Sequence, residues 1–174
     1  MTDQRLTDLL AREEIRTLAL RYCAAVEARD VDAMAALFSP RARFGGHGAG
    51  PDGLRNLMAD SLGGSLVAVI LVANHLIELD GDDAASGQVW AQCFAHTRAD
   101  GFLDQLIRYE DRYERVNGRW LFLHRRHRLW YGAAHAVSPL DQAAADWPRR
   151  QVGVGDIPLA DPDFRTWWEG RMHD

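Results

Sequence analysis

The spacing of apolar residues predicts helices at the start of the chain. From residue 6 to residue 28 the apolar side chains recur at helical intervals, which indicates an amphipathic helix that could be broken near Glu13-Glu14. Asp30 is a suitable N-cap for a short second helix over residues 31–38. A short strand is expected over 41–44 and a third short helix over 53–61, with a glycine-rich loop between them.

The middle of the chain predicts four strands, over residues 67–79, 87–98, 103–115 and 119–130. The last two flank Asn117-Gly118, and Asn-Gly between alternating runs is the strongest short-range signal for a hairpin. Helices followed by a meander of strands indicate an α+β fold. We therefore expect a curved, mostly antiparallel sheet that packs on the N-terminal helices.

The regular pattern ends near residue 131. A chain of 174 residues suits one domain, which we place over residues 1–131. Residues 132–174 are expected to form an irregular tail packed on the same domain. The tail carries Trp147, Trp167 and Trp168, and three indole rings are too much apolar area to leave in water.

Charge and composition exclude several classes of function. The net charge of −5 argues against a nucleic-acid surface, which needs a basic excess. No apolar run reaches the length of about 18 residues that a membrane span needs. The charged N-terminus is unlike a secretory signal. Cys23 and Cys93 lack metal-ligand spacing, so we expect buried free thiols, no metal site and a cytoplasmic protein.

The last predicted strand carries candidate chemistry. Arg125 and His127 stand two positions apart, so both side chains point to the same face of the sheet. A guanidinium and an imidazole on one face either line a polar pocket or contact solvent. The neighbouring His124 and Arg126 then point the other way, and the basic run as a whole also fits a solvated strand.

Three segments of the chain resemble the SnoaL-like branch of the NTF2-like superfamily. They are YCAAVEARDVDAMAALFSPRARF, ANHLIELDGDDAASGQVWAQ and YEDRYERVNGRWLFLHRR, and the resemblance extends over about residues 6–131. It implies a cone-shaped α+β barrel with an apolar cavity, and often a homodimer. Family members include dehydratases, dehydrochlorinases, isomerases and polyketide cyclases, so the resemblance indicates the fold better than the reaction.

The resemblance also implies catalytic positions. Glu27 stands where dehydratase and dehydrochlorinase members carry an aspartate that orients a catalytic histidine. That histidine usually precedes Asn74 by four residues, where this chain has Ile70, so the usual pair of side chains is incomplete. Arg125 matches an arginine found in the family and could clamp or stabilise an anion, and His127 could replace the missing histidine as the partner of Glu27.

The remaining candidates are Tyr22, which is grouped with the catalytic residues, and four residues predicted to bind the substrate. Tyr22 could donate a hydrogen bond to a substrate oxygen, and Phe44 and Tyr109 occupy positions that line the cavity in similar proteins. Asn74 and His96 complete the candidate set, although strict alternation places His96 on the same face as the outward Trp90, Gln92 and Phe94. By the same alternation His75, next to Asn74, is expected on the solvated or interfacial face.

These observations predict a cofactor-independent lyase or isomerase with dehydratase-like acid–base chemistry. Its substrate would be a small aromatic or polycyclic molecule in an apolar cavity, and the protein would be a homodimer or a higher homo-oligomer. Two alternatives stay open. One is a non-catalytic ligand-binding module, such as a subunit like the β chains of ring-hydroxylating dioxygenases, and the other is a polyketide cyclase.

Overall fold

The computed structural model describes residues 2–171 and begins with a long helix. Helix α1 covers Thr2–Glu27, α2 covers Val31–Ala35, and α3 covers Gly50–Gly63. The Asp30 side chain accepts a hydrogen bond of 2.8 Å from the backbone N–H of Ala33, so the predicted N-cap of α2 is confirmed. None of the helices within residues 2–171 is long and apolar enough to cross a membrane.

The four predicted strands are confirmed as one antiparallel sheet. They are β1 (Ser65–Asp80), β2 (Ala84–Thr97), β3 (Gly101–Val116) and β4 (Arg119–Ala134), and they lie side by side in chain order. The turn before β4 has positive φ at both Asn117 (51°) and Gly118 (78°), which is the conformation that an Asn-Gly hairpin favours. Helices followed by this curved, unclosed meander form the predicted α+β fold.

The main core lies between α1 and the inner face of the sheet. Helix α1 buries one stripe of apolar side chains, and the strands bury alternate residues against it. The buried side chains include Ile15, Leu18 and Ala19 of the helix and Val89, Ala91, Ile107, Tyr113, Trp120 and Phe122 of the sheet. A large apolar side chain that is fully buried contributes about 1.5–3 kcal/mol. Cys23 and Cys93 are buried free thiols in this core, as the sequence predicted.

The sheet has four register shifts, two between β1 and β2 and two between β3 and β4, and one shift of each pair changes which residues face the core beside the inner polar side chains. In β1 the register against β2 shifts between Val72 and His75, and in β4 the register against β3 shifts between Phe122 and His124. A bulge adds one unpaired residue to a strand, so the alternation restarts in the opposite phase beyond it. Both bulges lie beside the residues described below.

The short strand predicted over residues 41–44 does not form. Its pairing is limited to a single bridge between Arg43 and Ala49, within a loop that contains a 3₁₀ turn at Gly45–His47. The segment before it is fixed differently, because Ser39 donates its backbone N–H to the carbonyl oxygen of Phe122 at 2.9 Å. A connection to β4 therefore replaces the expected strand.

The C-terminal segment is more regular than the sequence predicted. It contains helices α4 (Asp156–Ala160) and α5 (Pro162–Arg171). Phe164 is fully buried, and it forms a small second cluster around the start of β1 with Leu66, Val154, Leu159, Trp167 and Trp168. Trp147 is 56% exposed, so the prediction that it anchors the tail is wrong.

Candidate active site

A buried ion pair joins the two neighbouring strands β3 and β4 on the inner face of the sheet. Asp111 of β3 and Arg125 of β4 stand opposite each other, with Nε to Oδ1 at 2.9 Å and Nη2 to Oδ2 at 2.7 Å. Their side chains are only 0% and 5% exposed. Burial alone would lower the pKa of Arg125, but the charge and hydrogen bonds of Asp111 outweigh it and raise that pKa. The arginine is therefore a permanent buried cation.

Aromatic rings surround this guanidinium. Its central carbon lies 4.6 Å from the ring centre of Tyr22, 4.2 Å from that of Tyr109 and 4.1 Å from that of Phe122. Cations are attracted to the faces of such rings. Burial raises the pKa of both tyrosines, so their hydroxyl groups stay protonated at neutral pH and can donate hydrogen bonds.

One nitrogen of the arginine is left without a partner. Asp111 occupies Nε and Nη2, whereas Nη1 is buried and has no hydrogen-bond partner within residues 2–171. A buried N–H group without an acceptor is costly, and native proteins seldom keep one without a reason. The free Nη1 group can donate to a ligand atom that enters the aromatic surroundings.

The bulge in β4 explains why Arg125 faces inward. Phe122 lies opposite Tyr113, and Arg125 lies opposite Asp111, so both side chains face the core although they are three positions apart. From His124 to Leu129 the alternation is regular, and His127 shares the inner face with Arg125, as their spacing predicted. The His127 ring lies 5.7 Å from the ring of Tyr109. Partial burial lowers the pKa of His127, although its outer part is exposed.

A hydrogen-bonded chain extends from Asp111 to β1. The Tyr113 hydroxyl donates to Oδ2 of Asp111 at 2.8 Å, and Nε2 of His75 lies 3.1 Å from the same hydroxyl. The prediction that His75 faces away from the core is wrong, because the bulge after Val72 reverses the alternation. Burial lowers the pKa of His75 to about 4, although Asp111 partly opposes this. Sequence reasoning missed the inward position of His75. The regular spacing of Tyr109, Asp111 and Tyr113 along β3 was the only signal for this series of hydrogen bonds.

The remaining predicted site residues do not converge on Arg125. The Glu27 side chain is exposed at the end of α1, and none of the side-chain hydrogen bonds or ion pairs within residues 2–171 includes it. Asn74 is exposed because it lies within the bulge of β1. Phe44 is half-buried and packs on Phe38 with 5.3 Å between ring centres.

His96 lies on the outer face of β2, where the C-terminal segment covers it. Its ring is 4.5 Å from the Trp167 ring, and its Nδ1 atom is 3.3 Å from the Ser138 hydroxyl. Burial lowers the pKa of His96. Alternation therefore placed this residue on the correct face, and its contact is with the tail instead of the candidate site.

The outer face of the sheet has a different character. A concavity of about 690 Å³ lies there, lined mainly by outward side chains of all four strands such as Leu76, Glu78, Gln88, Glu110, Arg112, His124 and Arg126. These groups are largely solvated. Among the described residues, no three His, Cys, Asp or Glu side chains form a group that could hold a metal ion.

Comparison with known proteins agrees with this architecture. Hexachlorocyclohexane dehydrochlorinase LinA-type3 from Novosphingobium barchaimii LL02 is 21% identical at a TM-score of 0.71, over 77% of this chain and 97% of that one. A scytalone dehydratase-like protein from Novosphingobium aromaticivorans DSM 12444 is 18% identical at a TM-score of 0.66, over 82% and 99% of the two chains. At these identities the likeness establishes the fold alone.

A third structure aligns with almost the whole chain, including the C-terminal segment. It is a single-substitution variant of Rv3472, a protein of unknown function from Mycobacterium tuberculosis, which is 22% identical at a TM-score of 0.60 over 99% of this chain and 90% of that one. No curated protein matches the sequence significantly. The sequence profile of the SnoaL-like domain matches residues 7–126, which is more than half of the chain. The profile and the fold together show that this protein belongs to the SnoaL-like domain family of the NTF2-like superfamily.

Proposed function

We propose that the protein is a cofactor-independent lyase or isomerase that moves a proton on a small aromatic or polycyclic substrate. The observation that carries this proposal is the free Nη1 donor of Arg125, buried among aromatic rings. Loss of a proton beside a carbonyl or phenol creates negative charge on an oxygen atom. A fixed cationic donor stabilises that charge strongly where water is excluded.

The geometry of Arg125 leaves Nη1 as the nitrogen that can meet a ligand. Asp111 takes the Nε and Nη2 edge of the guanidinium, so a substrate cannot use that edge. Nη1 can still donate to one phenolate or enolate oxygen. Asp111 also keeps the guanidinium in place before any substrate arrives, so little reorganisation is needed in the reaction.

His127 is the proposed proton acceptor on the same face. Its lowered pKa keeps the imidazole neutral at neutral pH, which is the form that accepts a proton. The protonated hydroxyls of Tyr22 and Tyr109 supply further donors, and Phe122 supplies part of the apolar wall. The exposed position of Glu27 fits a solvated carboxylate, so the proposal gives this residue no catalytic role.

The similar proteins support this class of reaction. The dehydrochlorinase and the scytalone dehydratase-like protein share the fold, and their names describe eliminations of hydrogen chloride and water. Both reactions need a proton acceptor and a group that stabilises developing charge, without an organic cofactor. Arg125 and His127 offer those two functions on one face of the sheet.

A second candidate function is ligand binding without a reaction. Ile70 packs against the core at the position where the family usually has its catalytic histidine, and an isoleucine cannot accept a proton. A binding module would use the same arginine and the same aromatic rings. Exchange of substrate hydrogen therefore distinguishes the two functions better than binding does.

The test uses wild-type protein and a panel of phenolic and polycyclic ketones, with and without a β-hydroxyl or β-halogen group. Incubation in D₂O followed by ¹H NMR detects both deuterium incorporation and elimination. For a panel member that reacts, Arg125→Lys should lower the rate about 100-fold or more, because it loses the fixed fork. His127→Gln should lower it by about the same factor.

His124→Gln is the matched control, because His124 is exposed on the outer face. It should leave the rate unchanged, and circular dichroism should show that all three variants are folded. Binding of panel members without exchange or elimination would favour the ligand-binding function. Equal rates for wild type and Arg125→Lys would contradict the proposed role of the arginine.

A further inference from the structure

The bulge in β1 turns a histidine toward the interior. Before the bulge, Ile70 and Val72 pack against the core, and beyond it His75 and Ile77 take the inward positions. Bulges often re-aim a side chain beside a functional site. The same strand that lacks a histidine at Ile70 thus presents one a short distance further along.

A glycine on β2 opens the path between His75 and Tyr113. These two residues belong to β1 and β3, so their side chains meet above the strand between them. A Cβ atom at Gly87 would lie 3.3 Å from the Tyr113 hydroxyl, 3.2 Å from its ring and 2.7 Å from the carbonyl oxygen of Leu76. Any larger residue at Gly87 would displace Tyr113 or the backbone.

The hydrogen bonds also set which nitrogen of His75 carries its proton. Tyr113 donates its hydroxyl hydrogen to Asp111, so the hydroxyl oxygen can only accept from His75. Nε2 is then the protonated nitrogen, and Nδ1 keeps a free lone pair. Nδ1 has no hydrogen-bond partner within residues 2–171, and the residue is only partly buried.

Charged groups reach this histidine from two sides. Asp111 on β3 favours the imidazolium, whereas Arg125 on β4 and Arg16 on α1 disfavour it. A carboxylate that acts through an intermediate hydroxyl on the far nitrogen of an imidazole resembles the logic of catalytic triads, in which the acidic residue orients the base and stabilises its protonated form.

We propose that His75 is a second acid–base residue of the site and that Tyr113 and Asp111 are its positioning residues. The inference rests on the proposed function, which needs a base, and it gives the inner face a second imidazole in that role in addition to His127. His75 on β1 and His127 on β4 then share the inner face of the sheet with Arg125. The ligand is a compound with an acidic C–H bond beside a carbonyl or phenol group.

The step at His75 is a proton transfer. The C–H bond breaks, the proton goes to Nδ1, and the electron pair enters the conjugated system of the substrate. In an isomerisation the proton returns to another carbon, whereas in an elimination it leaves with the departing hydroxide or halide. Neither course needs an oxidant or a reductant, and Nε2–H stays bonded to Tyr113 throughout.

Nitrogen NMR of uniformly ¹⁵N-labelled protein tests the positioning directly. Long-range ¹H–¹⁵N spectra distinguish the two neutral imidazole tautomers, and the His75→Gln variant identifies the signals of His75. Wild type should show the Nε2–H tautomer alone at pH 7.5, and Tyr113→Phe should show a larger share of the Nδ1–H tautomer because it lacks only the hydroxyl. An Nδ1–H tautomer in wild type, or no change in Tyr113→Phe, would overturn the inference and leave the proposed function intact.

Hydrogen exchange of the ketone panel in D₂O tests the chemistry. For a reacting panel member, His75→Gln should lower the exchange rate about 100-fold, and Tyr113→Phe should lower it less while shifting its pH profile. His124→Gln again serves as the control. Normal exchange in His75→Gln would refute the role of His75 while Arg125 keeps its own, whereas no exchange in wild type would overturn both proposals together.

Discussion

Two acidic residues that are adjacent on β3 make opposite kinds of ion pair. Asp111 faces inward and pairs with Arg125 at 0% and 5% side-chain exposure. Glu110 faces outward and contacts Arg108 at 2.6 Å and Arg128 at 3.7 Å, where the side chains are 31–47% exposed. In both cases a carboxylate of β3 pairs with arginine, and the two cases differ in the face of the strand that carries the carboxylate.

The comparison shows that burial, rather than the distance between the charges, decides what an ion pair does. The outer pair can exchange its partners for water at little cost. The inner pair is surrounded by rings and core side chains, so either charge left alone would be buried without compensation. The rings and core side chains that bury Arg125 also keep its free Nη1 donor away from water.

The largest effect is expected from removing the charge of Asp111. Asp111→Asn should lower the free energy of unfolding by about 3–5 kcal/mol, because Arg125 remains as a buried cation without its counter-ion. Urea unfolding followed by tryptophan fluorescence measures the change. A loss below about 1 kcal/mol would mean that water reaches the inner pair, and the contrast between the two faces would disappear.

A smaller effect is expected where the inner face is tightly packed. Gly87→Ala should lower the free energy of unfolding by about 1–3 kcal/mol, because the new Cβ would overlap the carbonyl oxygen of Leu76 and crowd Tyr113. Gly64→Ala is the control, since a Cβ there meets nothing within 4 Å. Urea unfolding of both variants should separate them clearly, and equal stability would show that the sheet yields at Gly87.

The inner face should also make stability depend on pH. The pKa of His75 falls from 6.5 to about 4 on folding, so the folded protein binds fewer protons than the unfolded chain between these values. Stability should therefore be full above pH 6.5 and decrease as the pH falls toward 4. We expect His75 to account for about 1 kcal/mol between pH 7.5 and pH 5 after allowance for its partial exposure.

Urea unfolding at the two pH values tests this prediction. His75→Gln should show a smaller decrease than wild type, although His96 and His127 contribute in the same direction because burial lowers their pKa values as well. An equal decrease in wild type and His75→Gln would show that the imidazole of His75 is solvated in the folded protein.

The smallest effect is expected on the outer face. Glu110→Gln should leave the free energy of unfolding almost unchanged, because the carboxylate is solvated and its arginine partners can bind water. Any difference from wild type should vanish at high salt concentration, where surface charges are screened. A loss comparable to that of Asp111→Asn would mean that a partner molecule covers the outer face in solution.

Most of the fold follows from local patterns in the sequence. Helix and strand types follow from the spacing of apolar residues, and the hairpin at Asn117-Gly118 follows from the conformations that these two residues tolerate. The shared face of Arg125 and His127 follows from strand alternation alone. Each of these inferences needs only a few consecutive residues, and local sequence supplies that information.

The failed predictions depend on packing between distant parts of the chain. Because of the bulge in β1, His75 faces inward and Asn74 is exposed, which reverses the prediction. No residue type within β1 predicts the bulge. Trp147 was expected to be an anchor because of its size, yet Phe164 and Trp167 took that position against Leu66. Glu27 was assigned by its place in the family pattern, whereas its exposure depends on how α1 rotates against the sheet.

The bulge in β1 has a consequence for how relatives are aligned with this chain. Ala73 and Asn74 are both exposed, and one of them is the extra residue that the strand accommodates. A relative whose strand lacks this residue should be aligned with a gap at Ala73-Asn74 instead of in the turn before β2. Without that gap, His75 is matched to outward positions of the relative, and the single histidine of β1 is wrongly counted as a surface residue.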